Sequence, residues 1–148
     1  MKTLILMRHG QASVFTETDG QRPLTPAGRE QTALVGLKLK QNGFTPQIIL
    51  CSPLLRARQS AQEAASAWGL TPQNAIELDG RLSAMGLLQF AQEQFKKYDS
   101  IMLVGHNPAI SLTAGVLSGQ FVSFRPADCA VFDITKPDTP KLLFQELS

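Results

Sequence analysis

Short apolar runs alternate along this chain with longer stretches of helical period. The runs at 3–7, 47–51, 75–78, 100–104, 130–134 and 142–146 predict strands. The stretches at 26–42, 53–68, 86–97 and 108–117 predict helices. In the second helix, Leu54, Ala57, Ala61, Ala64 and Trp68 fall on one face. The fourth is apolar nearly all round, which predicts burial. Strands that are apolar throughout need cover on both faces, and strands separated by helices pair in parallel. The pattern therefore predicts an α/β fold, a three-layer α/β/α sandwich around a mostly parallel central sheet. The last two strands are joined by Lys136-Pro137-Asp138-Thr139-Pro140, which predicts a hairpin at an antiparallel edge. With no repeat, low-complexity segment or long linker, residues 1–148 read as one domain.

Helix starts repeat one device. Thr25-Pro26, Ser52-Pro53 and Asn107-Pro108 each set a capping side chain before a proline suited to the first helical position.

Composition narrows the function. Net charge is +2, without a Lys/Arg cluster or a basic stripe interleaved with aromatics, so nucleic acid is not an expected partner. Any anion preference must come from a local site. Cys51 and Cys129 each sit in an apolar run and read as buried free thiols rather than a disulfide framework. No apolar stretch reaches the length of a membrane span. The run before Arg8 is too short for a signal-peptide core, so the chain reads as cytoplasmic.

The chain has two histidines, His9 and His106, and each follows an apolar strand by two residues. The carboxyl ends of parallel strands share one edge, where ligands bind. The two imidazoles are therefore expected to converge there. Arg8 adjoins His9, Arg56 lies one turn into the second helix, and Arg22 precedes the first helix. Guanidinium forks match phosphate oxygens, and helix N-termini add N–H donors. Gly10 and Asn107, beside the two histidines, join the expected phosphate-binding set. Such a density of donors favours a phosphoryl group over a carboxylate. A neutral imidazole held by a backbone carbonyl is a nucleophile near pH 7. His9 is thus expected to attack phosphorus and form a phosphohistidine. The arginines and His106 would steady charge on the equatorial oxygens. The scheme needs no metal or other cofactor. Cys51 invites a cysteine-phosphatase reading, but four residues separate it from Arg56 where that chemistry uses five. The intervening Ser-Pro-Leu-Leu also has no glycine, so Cys51 reads as a strand residue.

These residues also carry a resemblance. Arg8-His9-Gly10 resembles the signature of the histidine phosphatase superfamily, the phosphoglycerate-mutase-like enzymes. Arg22-Pro23-Leu24-Thr25-Pro26-Ala27-Gly28, Ser52-Pro53-Leu54-Leu55-Arg56-Ala57-Arg58-Gln59-Ser60-Ala61 and Val104-Gly105-His106-Asn107-Pro108 resemble its later motifs, in order. The likeness spans roughly residues 2–118 and implies a phosphoglycerate-mutase-like fold. The short length and the Arg-Pro-Leu-Thr and His-Asn-Pro wording are most similar to its protein phosphohistidine phosphatases. By that resemblance His9 is the phosphorylated residue, Arg8, Arg56 and His106 complete the pocket, and Arg22 lies nearby.

One departure bears on substrate. Mutase and acid-phosphatase members supply a general-acid carboxylate after the third strand. Here that region reads Leu78-Asp79-Gly80-Arg81-Leu82-Ser83, with arginine about where the acid would stand. Asp79, Glu17 and Asp19 are candidate acids, but none matches a motif. An alkoxide leaving group needs a proton donor, whereas an imidazole leaving phosphohistidine needs far less help. The expected substrate is therefore a phosphohistidine-bearing domain of the phosphotransfer or phosphorelay type, with inorganic phosphate as product. The alternatives are a phosphatase or mutase for small phosphate esters or sugar phosphates, and a non-catalytic phosphate-binding module.

Overall fold

The computed structural model describes residues 1–14 and 18–148. Among the described residues, six strands and four α-helices follow one another: β1 Thr3–Arg8, α1 Pro26–Gln41, β2 Ile48–Cys51, α2 Leu55–Ala65, β3 Gln73–Asn74, α3 Ala84–Gln94, β4 Ser100–Gly105, α4 Ala109–Ser118, β5 Cys129–Asp133 and β6 Lys141–Glu146. Short 3-10 turns occupy Asp19–Gln21 and Ile76–Leu78. The strands form one sheet in the order β3-β2-β4-β1-β5-β6. Pairings from β3 to β1 are parallel, and both pairings of β5 are antiparallel.

The strand period of two builds both cores. Leu4, Leu6 and Leu103 face Leu87 and Ala91 of α3 and Ile110 and Ala114 of α4. Ile5, Met7, Met102 and Val104 face Val35 and Leu39 of α1 and Ala61 and Ala64 of α2. The result is the expected three-layer sandwich.

The structure departs from expectation in three places. The run 75–78 is not a strand: the sheet edge is the two-residue β3, and the chain then turns through Ile76–Leu78. Only Ala75 and Leu78 of that run are buried, so one side alone meets the core. The expected hairpin of β5 and β6 forms the antiparallel edge. The fourth helix is not buried all round. It lies in an outer layer, where only one face can meet the sheet, so Leu112 stays 44% and Val116 54% exposed.

The helix starts are the third departure. Thr25 caps α1 by accepting from the Gly28 N–H at 3.0 Å. Ser52 and Asn107 do not cap, because α2 begins at Leu55 and α4 at Ala109 without a side-chain cap. Both side chains have other partners, described below.

Candidate active site

Register brings the two histidines together. Arg8 lies opposite Gly105 in the parallel β1–β4 pair. The next residue on each strand is a histidine, and the His9 N–H donates to the Gly105 carbonyl at 3.0 Å. The imidazole centroids stand 5.1 Å apart, with the rings tilted by 56°. Both residues are buried.

His9 Nδ1 lies 2.7 Å from the Gly10 carbonyl. A carbonyl only accepts, so Nδ1 carries the proton and Nε2 keeps its lone pair. Burial pushes the His9 pKa down to about 3; the Gly10 contact opposes the shift, while His106, Arg56 and Arg8 add to it. Burial also lowers the His106 pKa to about 4, with Arg56 adding to the shift and Asp19 and Asp79 opposing it. Both rings are neutral at pH 7. His106 Nε2 shares a 2.7 Å hydrogen bond with Ser52 Oγ, which also accepts from the Leu54 N–H at 3.1 Å.

Gly10 is sterically required. A Cβ there would lie 2.8 Å from Thr32 Cγ2 and 2.9 Å from the Gly28 carbonyl oxygen. Its N–H donates to Ser60 Oγ at 2.9 Å, and Ser60 Oγ donates to the Arg56 carbonyl at 2.6 Å. Gly10 is one of the residues expected to bind phosphate. Its amide is engaged by Ser60, and its contribution is to orient His9.

Two guanidiniums flank the rings. Arg8 Nη1 donates to the Phe124 carbonyl at 3.0 Å. Arg56 Nη1 donates to the Asp19 carbonyl at 2.9 Å, and Nη2 meets Asp19 Oδ2 at 3.1 Å. The Nε atoms of Arg8 and Arg56 are buried without a hydrogen-bond partner among the described residues. Arg22 donates from Nε to the Ser13 carbonyl at 2.8 Å and from Nη1 to Asp19 Oδ1 at 3.3 Å. One carboxylate thus bridges two arginines, and Arg22 and Arg56 hold its pKa below the ordinary aspartate value. That bridge also demonstrates that the Arg56 fork accepts an oxyanion.

The candidate acids are engaged or undescribed. Asp19 forms the bridge. Asp79 accepts from Arg81 Nε at 2.6 Å and from the Arg81 N–H at 3.1 Å. Gly80 allows this turn: its φ of +102° would strain any residue with a side chain, although a Cβ there would make only ordinary contact with the His106 side chain. Glu17 lies outside the described residues. Asn107, also expected to bind phosphate, is held within the protein. Its Nδ2 donates to the Phe124 carbonyl at 2.8 Å, and its Oδ1 accepts from Ser111 at 2.6 Å. It ties α4 to the segment before β5.

Sequence reasoning gave no role at the site to Ser60 or the Phe124 carbonyl, and it took Ser52 as a cap. The one available signal was Ser60, four residues after Arg56 and so one turn along the same face of α2. Cys51 and Cys129 are buried and unpaired. Burial pushes their thiols up to about 11 and about 12, far from a thiolate nucleophile at pH 7.

Two neutral histidines beside a buried Arg56 and a half-buried Arg8 meet at the carboxyl edge of the parallel sheet, an arrangement suited to phosphate. The family model described as histidine phosphatase superfamily (branch 1) matches residues 4–94, and the chain belongs to that family. An uncharacterised protein of Picosynechococcus is 40% identical over 109 residues, covering 71% of this chain; the chain thus spans just under two thirds of that relative, 66% of its length. The phosphohistidine phosphatase SixA homolog of Haemophilus influenzae is 30% identical over 141 residues, covering 86% of this chain and 85% of that protein. Among solved structures, the protein histidine phosphatase SixA complexed with tungstate superposes with a TM-score of 0.87 over 98% of this chain and 96% of that one, at 22% identity. That last likeness is one of fold.

Proposed function

We propose that this protein hydrolyses phosphohistidine on a protein domain, through a covalent phosphohistidine on His9. The observation that carries the reading is the pairing of a tautomer-fixed nucleophile with engaged carboxylates. His9 Nε2 is free to attack, whereas Asp19 is bound by Arg22 and Arg56 and Asp79 by Arg81. The names of the SixA relatives support the same substrate class.

In the first step the lone pair on His9 Nε2 forms a bond to phosphorus as the substrate's P–N bond breaks. A substrate ring protonated on its other nitrogen leaves as neutral imidazole, so the enzyme need donate no proton. The positive ring left on His9 is steadied by the Gly10 carbonyl. In the second step water attacks phosphorus, the Nε2–P bond breaks, and His9 returns as the neutral Nδ1–H imidazole. The proton from water leaves with phosphate. Arg8, Arg56 and His106 would hold the equatorial oxygens.

The test is acid-quench trapping with a phosphorylated histidine phosphotransfer domain as donor. Label on His9 that vanishes in His9→Ala, with faster turnover of the phosphoprotein than of small esters, is the expected result. Faster turnover of esters overturns the substrate assignment.

A second reading, a phosphatase for small esters, draws on the charge of Asp79, which acts on His106. It requires Asp79→Asn to cut ester turnover by about 100-fold or more, the scale of a lost general acid.

A further inference from the structure

α4 and the segment after it form an unusual surface. From residue 107 to residue 124 the chain has no charged side chain. Pro108, Leu112 and Val116 are exposed and recur every four residues, a line about 12 Å long at 1.5 Å per residue. Phe121, 59% exposed, lies against Gly115 of the same helix, where a Cβ would meet the Phe121 backbone at 3.4 Å. Val122 continues the face. A contiguous apolar patch of this kind marks an interaction site.

The patch is fixed to the rim of the phosphate site. Three residues beyond Phe121, the Phe124 carbonyl accepts from both Arg8 Nη1 and Asn107 Nδ2. The Phe124 N–H donates to Ser111 on α4. One end of the patch is thus held by the same arginine that flanks His9, and the other runs from Pro108, two residues past His106. A phosphoryl group carried on a large protein reaches Arg8 only if that protein also rests beside this rim.

We propose that the exposed face of α4, with Phe121 and Val122, is the docking surface for the phosphohistidine-bearing protein. This rests on the reading of the substrate as a phosphoprotein. The division of labour follows from the chemistry. The arginines answer the phosphate charge, and the uncharged face answers apolar side chains flanking the phosphorylated histidine.

The test compares V116E, F121E and L112E with the wild-type enzyme on two substrates, a phosphorylated histidine phosphotransfer domain and free phosphohistidine. L37E, at a residue 48% exposed on α1 across the sheet, is the control for an added surface charge. The docking variants are expected to raise KM for the phosphoprotein by about tenfold or more, the scale of a lost interface anchor. Turnover of free phosphohistidine and the melting temperature should stay near wild type, and L37E should change neither substrate. Unchanged phosphoprotein kinetics in V116E and F121E would overturn the docking surface, as would equal losses on both substrates. So would disruption of a wild-type dimer without a change in phosphoprotein KM, since the face would then belong to a second copy. A wild-type enzyme that cleaves free phosphohistidine but not the phosphoprotein overturns the substrate reading instead.

Discussion

Asp19 separates two roles that a carboxylate near a phosphate site can play. As a general acid it would need a pKa raised toward neutrality. Its pKa is instead lowered, first by Arg22 and then by Arg56, so it remains a carboxylate at pH 7. It therefore behaves as an anion that shares the Arg56 fork with incoming phosphate. Asp19→Asn should tighten product inhibition by inorganic phosphate, by up to about fivefold, the scale of one exposed ion pair. Inhibition constants for phosphate in the two proteins check this. A large loss of turnover with unchanged phosphate affinity would restore Asp19 as an acid. His9 shows the complementary logic. Its basic nitrogen is chosen by the Gly10 carbonyl, and its neutrality is enforced by burial beside cations.

At the scale of elements, the turn from β1 toward α1 is where packing and catalysis meet. Gly10 sits where any side chain would strike Thr32 and Gly28 of α1, while its carbonyl sets the His9 tautomer. Gly10→Ala should therefore lower both stability and activity. Overpacking of this kind costs about 1–3 kcal/mol. The expected reading is a fall in melting temperature of several degrees, roughly 2–8 °C per kcal/mol for domains of 60–250 residues. The variant should also accumulate less phosphoenzyme at equal folded fraction. A melting temperature and burst amplitude equal to wild type would contradict this account. The helix starts show why local rules stop at the site. Thr25 caps its helix as its sequence context predicts. Ser52 and Asn107 have the same local wording, yet Ser52 bonds to His106, 54 residues away, and Asn107 to Phe124, 17 residues away. Those partners are brought by the fold, and such exceptions are expected at functional sites.

At the scale of the whole molecule, burying two neutral histidines makes stability depend on pH. Their folded pKa values, about 3 for His9 and about 4 for His106, lie below the ordinary value of 6.5. As pH falls below 6.5 the unfolded chain takes up protons that the folded chain refuses, so stability declines. The decline ends only near the folded values. Melting temperature should therefore drop between pH 7 and 5, and less steeply in His106→Asn than in wild type. Parallel slopes in the two proteins would show that these rings do not carry the effect. The sandwich, the two-sided sheet and the convergence of His9 with His106 were legible in the chain. Uniformly apolar strands demand cover on both faces, and strand ends in a parallel sheet share an edge. Arg8 and Arg56 were legible too, because the sequence places them beside that edge. Other features were decided by tertiary structure alone. The exposed line on α4 arose because an outer helix has one inner face, whatever the apolarity of its other side. The bridge from Asp19 to two arginines and the networks through Ser60, Ser52 and Phe124 join residues far apart in sequence. Periodicity and propensity act over a few residues, whereas these contacts exist only once the sheet has set its register.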